Sequence, residues 1–297
     1  KNIYIKSYIA FFKLSFFSLF FSFLYSIKFK KNLISMNIFF FRNFIKYNQI
    51  FLENRAKYII QERHHNTSHL KKYIFKKYGG KFLCVYQRNI PVYCSTGMYA
   101  CGDIFFTIGN NSQEIAKKCK YNFKKYIPVG SLHYENWLQR KNFKGNQYDI
   151  LNVASDFDDF MNVCEKSEDS YYEHFRWLAK ISREMPNLKI GVRFRYKLGE
   201  NHRFIDIFKN TNVELIDASK DKSISLYSYG DILKSKVICT WNSTLFLEII
   251  GKNKICLCLN PHDANPYFPD NNLYNNFLIK KYENFKKEIL KNLNIDS

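Results

Sequence analysis

The sequence predicts an α/β protein with two consecutive parallel-sheet domains. Short apolar runs alternate with amphipathic segments from about residue 56 to residue 280, and polar or glycine-containing turns separate them. Strands that alternate with helices are typical of parallel sheets, because two parallel strands need a crossover connection between them. A chain of 297 residues has room for two such domains. The polar stretch Lys141–Tyr148 divides the alternation into two series and is the predicted linker.

The first series is predicted to contain four strands and two helices. The first helix spans Ser68–Tyr78 and ends at a pair of glycines, and the second runs from Gln113 to about Lys120 after the capping stretch Gly109–Ser112. The strands are the apolar runs Ala56–Gln61, Lys81–Tyr86, Asp103–Ile108 and Lys125–Gly130.

The second series is predicted to contain five strands and four helices, and a lysine-rich amphipathic helix over Tyr274–Asn294 follows it. The strands are Asp149–Ala154, Lys189–Arg195, Val213–Asp217, Lys236–Trp241 and Lys254–Leu259. The helices are Tyr171–Met185, His202–Lys209, Leu226–Lys234 and Leu245–Ile250.

Residues 1–45 are predicted to form a separate, apolar and helical N-terminal segment. Ala10–Ile27 is almost continuously apolar, and Lys28, Lys30 and Lys31 follow it. Serines 15, 18, 22 and 26 share one narrow arc of this helix. The segment is long enough for one membrane span, its basic flank suits an anionic membrane surface, and its serine stripe suits packing against another helix. We expect membrane association of some kind, and a missing N-terminal piece, because the chain opens on Lys1.

The composition is strongly basic. Lysine and arginine number 46 against 26 acidic residues, which gives a formal net charge of +20. This excess favours anionic partners, namely phosphorylated substrates, acidic lipid or nucleic acid. The basic clusters come with neither a recognition helix nor an aromatic RNA-binding strand, so nucleic acid is the minor alternative. Eight cysteines without a Cys-x-x-Cys pair favour a reducing cytoplasm over a zinc or disulfide framework.

The most specific local pattern lies in Leu226–Asn260, which contains helix, strand, turn, helix and strand in that order. The apolar run Lys236–Trp241 ends at the small polar turn Asn242–Thr244, and Leu245 begins the next helix. A helix N-terminus at the carboxyl edge of a parallel sheet offers N–H groups to an anion such as a diphosphate. An ordinary capped β-α-β unit is the alternative interpretation.

Two segments of this stretch carry a family resemblance. In Ser228–Leu233 and Ser235–Lys252 a strand, a small polar turn, a helix with a glutamate one turn in and a Gly-Lys pair follow one another. This order resembles the donor-binding end of GT-B glycosyltransferases, in particular the bacterial capsule and lipopolysaccharide enzymes that include relatives of CDP-glycerol glycerophosphotransferase. The sequence departs from that group at Trp241-Asn242, where a small residue or glycine is commoner.

The resemblance implies two Rossmann-like domains that face a cleft. After the N-terminal segment it implies an acceptor-side α/β domain over residues 46–145, a nucleotide-donor α/β domain over 146–280 and a closing amphipathic helix over 281–297. The first domain is short for the family, so we expect it to be truncated.

Candidates for the catalytic base follow the first predicted strand. Glu62 or His64 could deprotonate an acceptor hydroxyl, because a carboxylate or an imidazole serves as a base near neutral pH. His64, His65 and His69 also permit a metal site, and a solvated loop is the third alternative. We expect neither a metal nor a cofactor.

Candidates for donor binding follow strands of the second domain. Ser155 comes directly after the first of these strands, in an acidic stretch for which an exposed loop is the alternative. Arg193 and Arg195 alternate onto one face of a strand, where two guanidinium groups could stabilise a departing nucleotide diphosphate without a metal. A surface pair is the alternative.

The remaining candidates lie in the turn described above. Asn242, Ser243 and Thr244 would hold phosphate oxygens of the donor. The resemblance assigns Glu248 to the donor ribose, and a helix-surface charge is the alternative.

These observations together predict a metal-independent glycosyltransferase. It would move a sugar or a polyol phosphate from a nucleotide-activated donor to a hydroxyl of a polysaccharide or lipid-linked acceptor, at the cytoplasmic face of the membrane. The alternatives are a non-catalytic nucleotide-binding or assembly protein on the same scaffold, and a basic protein that binds an anionic membrane surface or nucleic acid.

Overall fold

The chain forms two α/β units. A computed structural model describes residues 16, 18–30, 32–62, 67–88, 100–138, 147–154, 167–194, 202–217, 224–241, 243, 245–250, 254–263 and 277–295. The first unit comprises Lys1–Phe106 and Ala116–Ile127, and the second comprises Thr107–Ile115 and Pro128–Ser297. The predicted α/β class is confirmed.

The first unit is built on a four-stranded sheet with the strand order β1-β2-β3-β4. Its strands are β1 (Tyr58–Gln61), β2 (Phe82–Tyr86), β3 (Cys101–Thr107) and β4 (Asn122–Pro128). The pairs β1–β2 and β2–β3 are parallel. The buried carboxylate of Asp103 accepts a hydrogen bond from the Leu83 amide (2.9 Å) and pairs with the Lys76 ammonium (2.8 Å). Burial alone would raise the pKa of this carboxyl, but the two contacts outweigh burial and hold the pKa below its usual value.

Within the described ranges three helices belong to this unit, and a fourth is divided between the two units. The three are α1 (residues 18–29), α2 (Leu33–Asn54) and α3 (His69–Lys77), and the fourth is α4 (Asn110–Lys118). Ser68 caps α3 by accepting a hydrogen bond from the Lys71 amide, and Gly79, at φ 85°, follows its end. Helix α2 packs on α3 through Phe51, whose ring centroid lies 5.4 Å from that of Phe75. No helix in the described part of the chain is long and apolar enough to cross a membrane.

The second unit contains a six-stranded sheet with the order β10-β9-β8-β5-β6-β7, and all of its neighbouring pairs are parallel. Its strands are β5 (Tyr148–Val153), β6 (Ile190–Phe194), β7 (Glu214–Asp217), β8 (Ser235–Thr240), β9 (Ile255–Leu259) and β10 (Leu278–Ile279). The central strands are buried on both faces, as expected when helices cover a parallel sheet on both sides.

In the part of the second unit that the structure describes there are six helices. They are α5 (Leu132–Leu138), α6 (Ser167–Glu184), α7 (His202–Ile207), α8 (Ile224–Leu233), α9 (Leu245–Ile249) and α10 (Tyr282–Leu293). Phe175 of α6, Phe208 after α7 and Phe285 of α10 share the main apolar core with Val192 and Phe194 of β6. Arg193 alternates to the other face of β6 and pairs with α8, so α8 covers that face.

The structure differs from the sequence predictions at short elements. The C-terminal helix begins at Tyr282 and not at Tyr274, because Leu278–Ile279 forms a strand that pairs with β9. Two residues are too few to produce a strand periodicity. Helix α5 was not predicted, and Ser131 caps it by accepting a hydrogen bond from the Tyr134 amide (3.1 Å). Helix α2 continues to Asn54, beyond the N-terminal segment that the sequence outlined.

Candidate functional site

The second sheet has a topological switch point between β5 and β8. From β5 the chain moves outward to β6 and β7 in one direction, and it then returns to β8 and moves outward to β9 and β10 in the other. Connections that leave in opposite directions open a crevice outside the carboxyl ends of the two central strands, and ligands of such sheets bind there. The Thr240 hydroxyl donates to the Val153 carbonyl (3.1 Å) and joins these two ends.

Four of the predicted donor-binding residues lie within four residues of the ends of these two strands. Ser155 comes after β5, and the turn Asn242–Thr244 comes after β8. Ser243 accepts a hydrogen bond from the Leu245 amide (3.4 Å) at the start of α9. Ser155, Asn242 and Thr244 lie outside the described residues.

The tryptophan before this turn points into the core. Trp241 is 2% exposed, and its Nε1 donates to Ser170 Oγ in α6 (2.8 Å). Ser170 Oγ in turn donates to the Pro261 carbonyl (2.5 Å) in the 3-10 turn after β9. The indole also meets the Tyr171 ring edge to face at 5.4 Å. The end of β8 is therefore tied both to α6 and to the segment after β9.

Arg193 is buried and paired. Its side chain is 3% exposed, and its guanidinium donates to the Asp231 carboxylate of α8. A buried guanidinium needs such a partner because desolvation of an unpaired charge is costly. The pair fixes α8 against β6, one strand away from the switch point. Arg195, the other predicted arginine, lies outside the described residues.

Glu248 sits in a hydrogen-bonded cluster on the α8 and α9 side of the sheet. The side chain is 8% exposed, and its Oε2 accepts hydrogen bonds from the Tyr229 hydroxyl (2.7 Å) and from Ser131 Oγ. Tyr229 also packs edge to face on Tyr134 of α5 at 5.9 Å. The sequence singled out Glu248 but not its partners, because Ser131 is 117 residues away along the chain.

A second buried polar pair lies on the opposite face of the sheet. Asn152 of β5 and His174 of α6 are both fully buried, and Asn152 Nδ2 lies 3.5 Å from His174 Nε2. Burial lowers the pKa of His174 to about 3, against a smaller opposing contribution from the Tyr171 backbone. The imidazole is therefore neutral in the folded protein at physiological pH.

The buried imidazole predicts a specific pH dependence of stability. The unfolded chain binds a proton at His174 below pH ~6.5 and the folded chain does not, so the free energy of unfolding falls as the pH drops through that value. We expect a loss of about 2 kcal/mol between pH 7 and pH 5 that is absent in His174→Gln. Urea unfolding at both pH values measures it. Equal losses in the two proteins would contradict the prediction.

The candidate base lies in the first unit. Glu62 directly follows β1, is half exposed and pairs with Arg88 (3.5 Å). His64 and His65 lie outside the described residues. Within the described ranges, no three His, Cys, Asp or Glu side chains come together in the manner of a metal site.

Comparison with known proteins shows similarity at the level of structure. The sequence matches no protein-family profile and no curated protein. A Listeria monocytogenes protein assigned as a UDP-N-acetylglucosamine 2-epimerase is similar at a TM-score of 0.58, with 12% identity over 85% of this chain and 70% of that chain. Staphylococcus aureus MnaA, solved with UDP, has the same TM-score and identity over 86% of this chain and 73% of its own.

A third similar structure is the Neisseria meningitidis UDP-GlcNAc 2-epimerase bound to UDP-GlcNAc. It has a TM-score of 0.50 and 11% identity, over 89% of this chain and 76% of that chain. At such low identity the similarity is one of fold. This chain shares the GT-B fold with these sugar-nucleotide enzymes.

Proposed function

We propose that the protein is a nucleotide-sugar enzyme, specifically a metal-independent glycosyltransferase of surface-polysaccharide synthesis. The observation that carries the proposal is the switch point between β5 and β8. Small polar residues, Ser155 and Asn242–Thr244, begin two residues after the last residue of each strand, where sheets of this kind bind their ligands. The similar structures that contain UDP and UDP-GlcNAc support a nucleotide sugar as the ligand.

Each candidate residue has a role in this proposal. Ser155 and Asn242–Thr244 hold phosphate oxygens, and Arg195 stabilises the leaving diphosphate. Arg193 contributes through its pair with Asp231, which fixes β6 and α8 beside the site. Glu248 faces the donor ribose, and the hydroxyls of Ser131 and Tyr229 orient its carboxylate.

The proposed reaction needs one base and one stabilised leaving group. Glu62 or His64 removes the proton from the acceptor hydroxyl, and the hydroxyl oxygen forms a bond to the anomeric carbon of the donor. The bond between that carbon and the diphosphate oxygen breaks, and the nucleoside diphosphate leaves with its negative charge held by Arg195. For a polyol-phosphate donor, the hydroxyl attacks phosphorus and a nucleotide leaves.

A second candidate activity is epimerisation of a nucleotide sugar. Two of these similar structures, from Listeria monocytogenes and Neisseria meningitidis, are assigned as UDP-N-acetylglucosamine 2-epimerases, which favours it. The two activities differ in their products. An epimerase converts the nucleotide sugar without an acceptor, whereas a transferase releases nucleotide only as the acceptor is consumed.

Titration with nucleotides tests the proposal. In EDTA and raised salt, which screens non-specific attraction to the basic protein, we expect one of UDP, CDP, GDP or ADP to bind in calorimetry. Arg195→Ala should weaken that binding about tenfold or more, because a charge-assisted contact to the diphosphate is lost. Arg176→Ala, an exposed arginine of α6, is the matched control and should bind normally.

Product analysis completes the test. Incubation with the matching nucleotide sugars, with and without phosphorylated-lipid acceptors, separates transfer from epimerisation. Sedimentation of the same samples with anionic vesicles tests the expected location at the membrane surface. If no nucleotide binds and no nucleotide sugar is consumed, the proposal is wrong and the scaffold is not an enzyme of this class.

A further inference from the structure

The first unit contains a large groove between its N-terminal helices and the β1–α3 region. The groove has a volume of about 1550 Å³. Its wall is mostly apolar and includes Phe21 and Tyr25 of α1, Phe40 and Ile50 of α2, and Ile59 of β1. A wall of this composition suits a hydrocarbon chain.

Polar contacts hold α1 and α2 together beside this groove. Asn37 Nδ2 donates to Ser22 Oγ (2.7 Å), and Ser18 Oγ donates to Asn37 Oδ1 (3.1 Å). The Leu33 amide donates to Ser26 Oγ (3.0 Å) where the two helices meet. Serines 18, 22 and 26 of the stripe therefore face α2, whereas Phe20 and Phe23 of α1 face outward and are more than half exposed. In a helix pair adapted to water, apolar side chains face the partner helix and polar side chains face the solvent, which is the reverse of this arrangement.

One end of the groove is polar and cationic. Lys46 of α2 and Lys71 of α3 both line it, together with Gln61 and Glu62 at the end of β1. The Lys71 ammonium donates to the Gln61 side-chain carbonyl and lies 5.7 Å from the ring centroid of Tyr47. Burial, and secondarily the charge of Lys46, lowers the pKa of Lys71. Two ammonium groups that destabilise one another in a half-buried site would both gain from a bound anion.

The carboxylates near Lys46 and Lys71 do not remove the gain that these two ammonium groups would have from a bound anion. Residues 1–52 contain eight basic and no acidic side chains. Glu62, which lines the same end of the groove, pairs with Arg88. An anionic head group is therefore the complementary ligand at this end, and a hydrocarbon chain is the complementary ligand along the wall.

We propose that this groove binds a single-chain lipid phosphate, with the phosphate between Lys46 and Lys71 and the hydrocarbon chain along the apolar wall. The inference rests on the proposed function in one respect, which is that this lipid carries the acceptor hydroxyl. Glu62 lies at the cationic end of the groove, so a head group held by the two lysines is brought next to the candidate base. The outward-facing phenylalanines of α1 place the groove near the bilayer that holds such a lipid.

Calorimetry with farnesyl phosphate as the probe tests the inference on the full chain, without any nucleotide. We expect farnesyl phosphate to bind at least tenfold more tightly than farnesol, which lacks the anion, and than inorganic pyrophosphate, which lacks the chain. It should also bind at least tenfold more tightly than the two-chain lipid dihexanoyl phosphatidylglycerol. Equal binding of farnesyl phosphate and any one of these three compounds would overturn the proposal.

A pair of double variants tests the cationic end. Lys46→Gln with Lys71→Gln should weaken farnesyl phosphate binding about tenfold or more, since each cation contributes about fivefold to attraction of an anionic head group. Lys57→Gln with Lys77→Gln removes the same charge from two exposed positions outside the groove and should bind normally. Equal weakening in both pairs would show that only net charge matters and would overturn the proposed site. Retained nucleotide binding in the Lys46 and Lys71 variant separates this site from the donor site.

Discussion

Replacement of Asp231 by alanine is expected to destabilise the second unit by about 3–5 kcal/mol. The substitution removes the carboxylate that pairs with the 3% exposed guanidinium of Arg193. Loss of one partner of a buried pair leaves a desolvated charge in the protein interior, which costs more than the pair itself contributed. The cost should fall on the packing of α8 against β6, beside the switch point.

Tryptophan fluorescence during urea unfolding measures this effect selectively. The three tryptophans of the chain, at positions 137, 177 and 241, all belong to the second unit. Asp206→Ala is the matched control, because its exposed pair with Lys209 (2.8 Å) should contribute less than about 1 kcal/mol.

A double variant shows whether loss of the Arg193–Asp231 pair causes the expected loss of stability. Arg193→Met with Asp231→Leu removes both charges and keeps apolar volume, so it should recover most of the lost free energy of unfolding. If Asp231→Ala costs no more than Asp206→Ala, the guanidinium has adequate solvation without this partner and the prediction is wrong.

The strands and the order of the elements could be predicted from the sequence. The apolar run at Lys236–Trp241 corresponds to β8, and that at Lys254–Leu259 corresponds to β9, each within one or two residues. These strands are buried on both faces, so nearly every position is apolar and the pattern is strong. The short strand Leu278–Ile279 has no such pattern, and its pairing with β9 depends on tertiary contacts.

The sequence assigns the candidate residues to strands, helices and turns but does not predict their side-chain contacts. The turn after β8 follows from a local pattern of strand, small polar residues and helix. The partners of Arg193 and Glu248 do not, because Asp231 and Ser131 are 38 and 117 residues away along the chain. Local periodicity places a side chain on a face of a strand or helix, whereas its partner depends on how the layers stack.

Trp241 illustrates this difference between pattern and packing. From the sequence it is an anomaly, a large side chain where the resembled enzymes commonly have a small residue. In the structure its indole is buried in the core between β8 and α6, where it is 2% exposed. Its Nε1–H and the Ser170 hydroxyl form a chain of hydrogen bonds to Pro261. The residue thereby connects three segments at the carboxyl edge of the sheet.

Trp241→Ala is accordingly expected to lower the free energy of unfolding of the second unit by about 3–5 kcal/mol, because it leaves a cavity in a closely packed core. It should also weaken the nucleotide binding proposed for the adjoining turn, since the end of β8 loses its attachment to α6 and to the segment after β9. Trp241→Phe keeps most of the side-chain volume, so it should lose less free energy of unfolding and less nucleotide binding than Trp241→Ala. Urea unfolding followed by circular dichroism, together with nucleotide titration, measures the two effects.

Trp177→Ala is the matched control for this prediction. Trp177 is 6% exposed and packs on Phe285 of α10, with its Nε1 donating to Glu173 (3.0 Å). Its removal should cost a similar free energy of unfolding, because the cavity is of similar size. Its ring contacts with Tyr282 and Phe285 and its hydrogen bond to Glu173 lie within α6 and α10, so the folded variant should bind nucleotide normally. Parallel losses of binding in the two alanine variants would mean that stability alone controls the site, and the specific role of Trp241 would then be refuted.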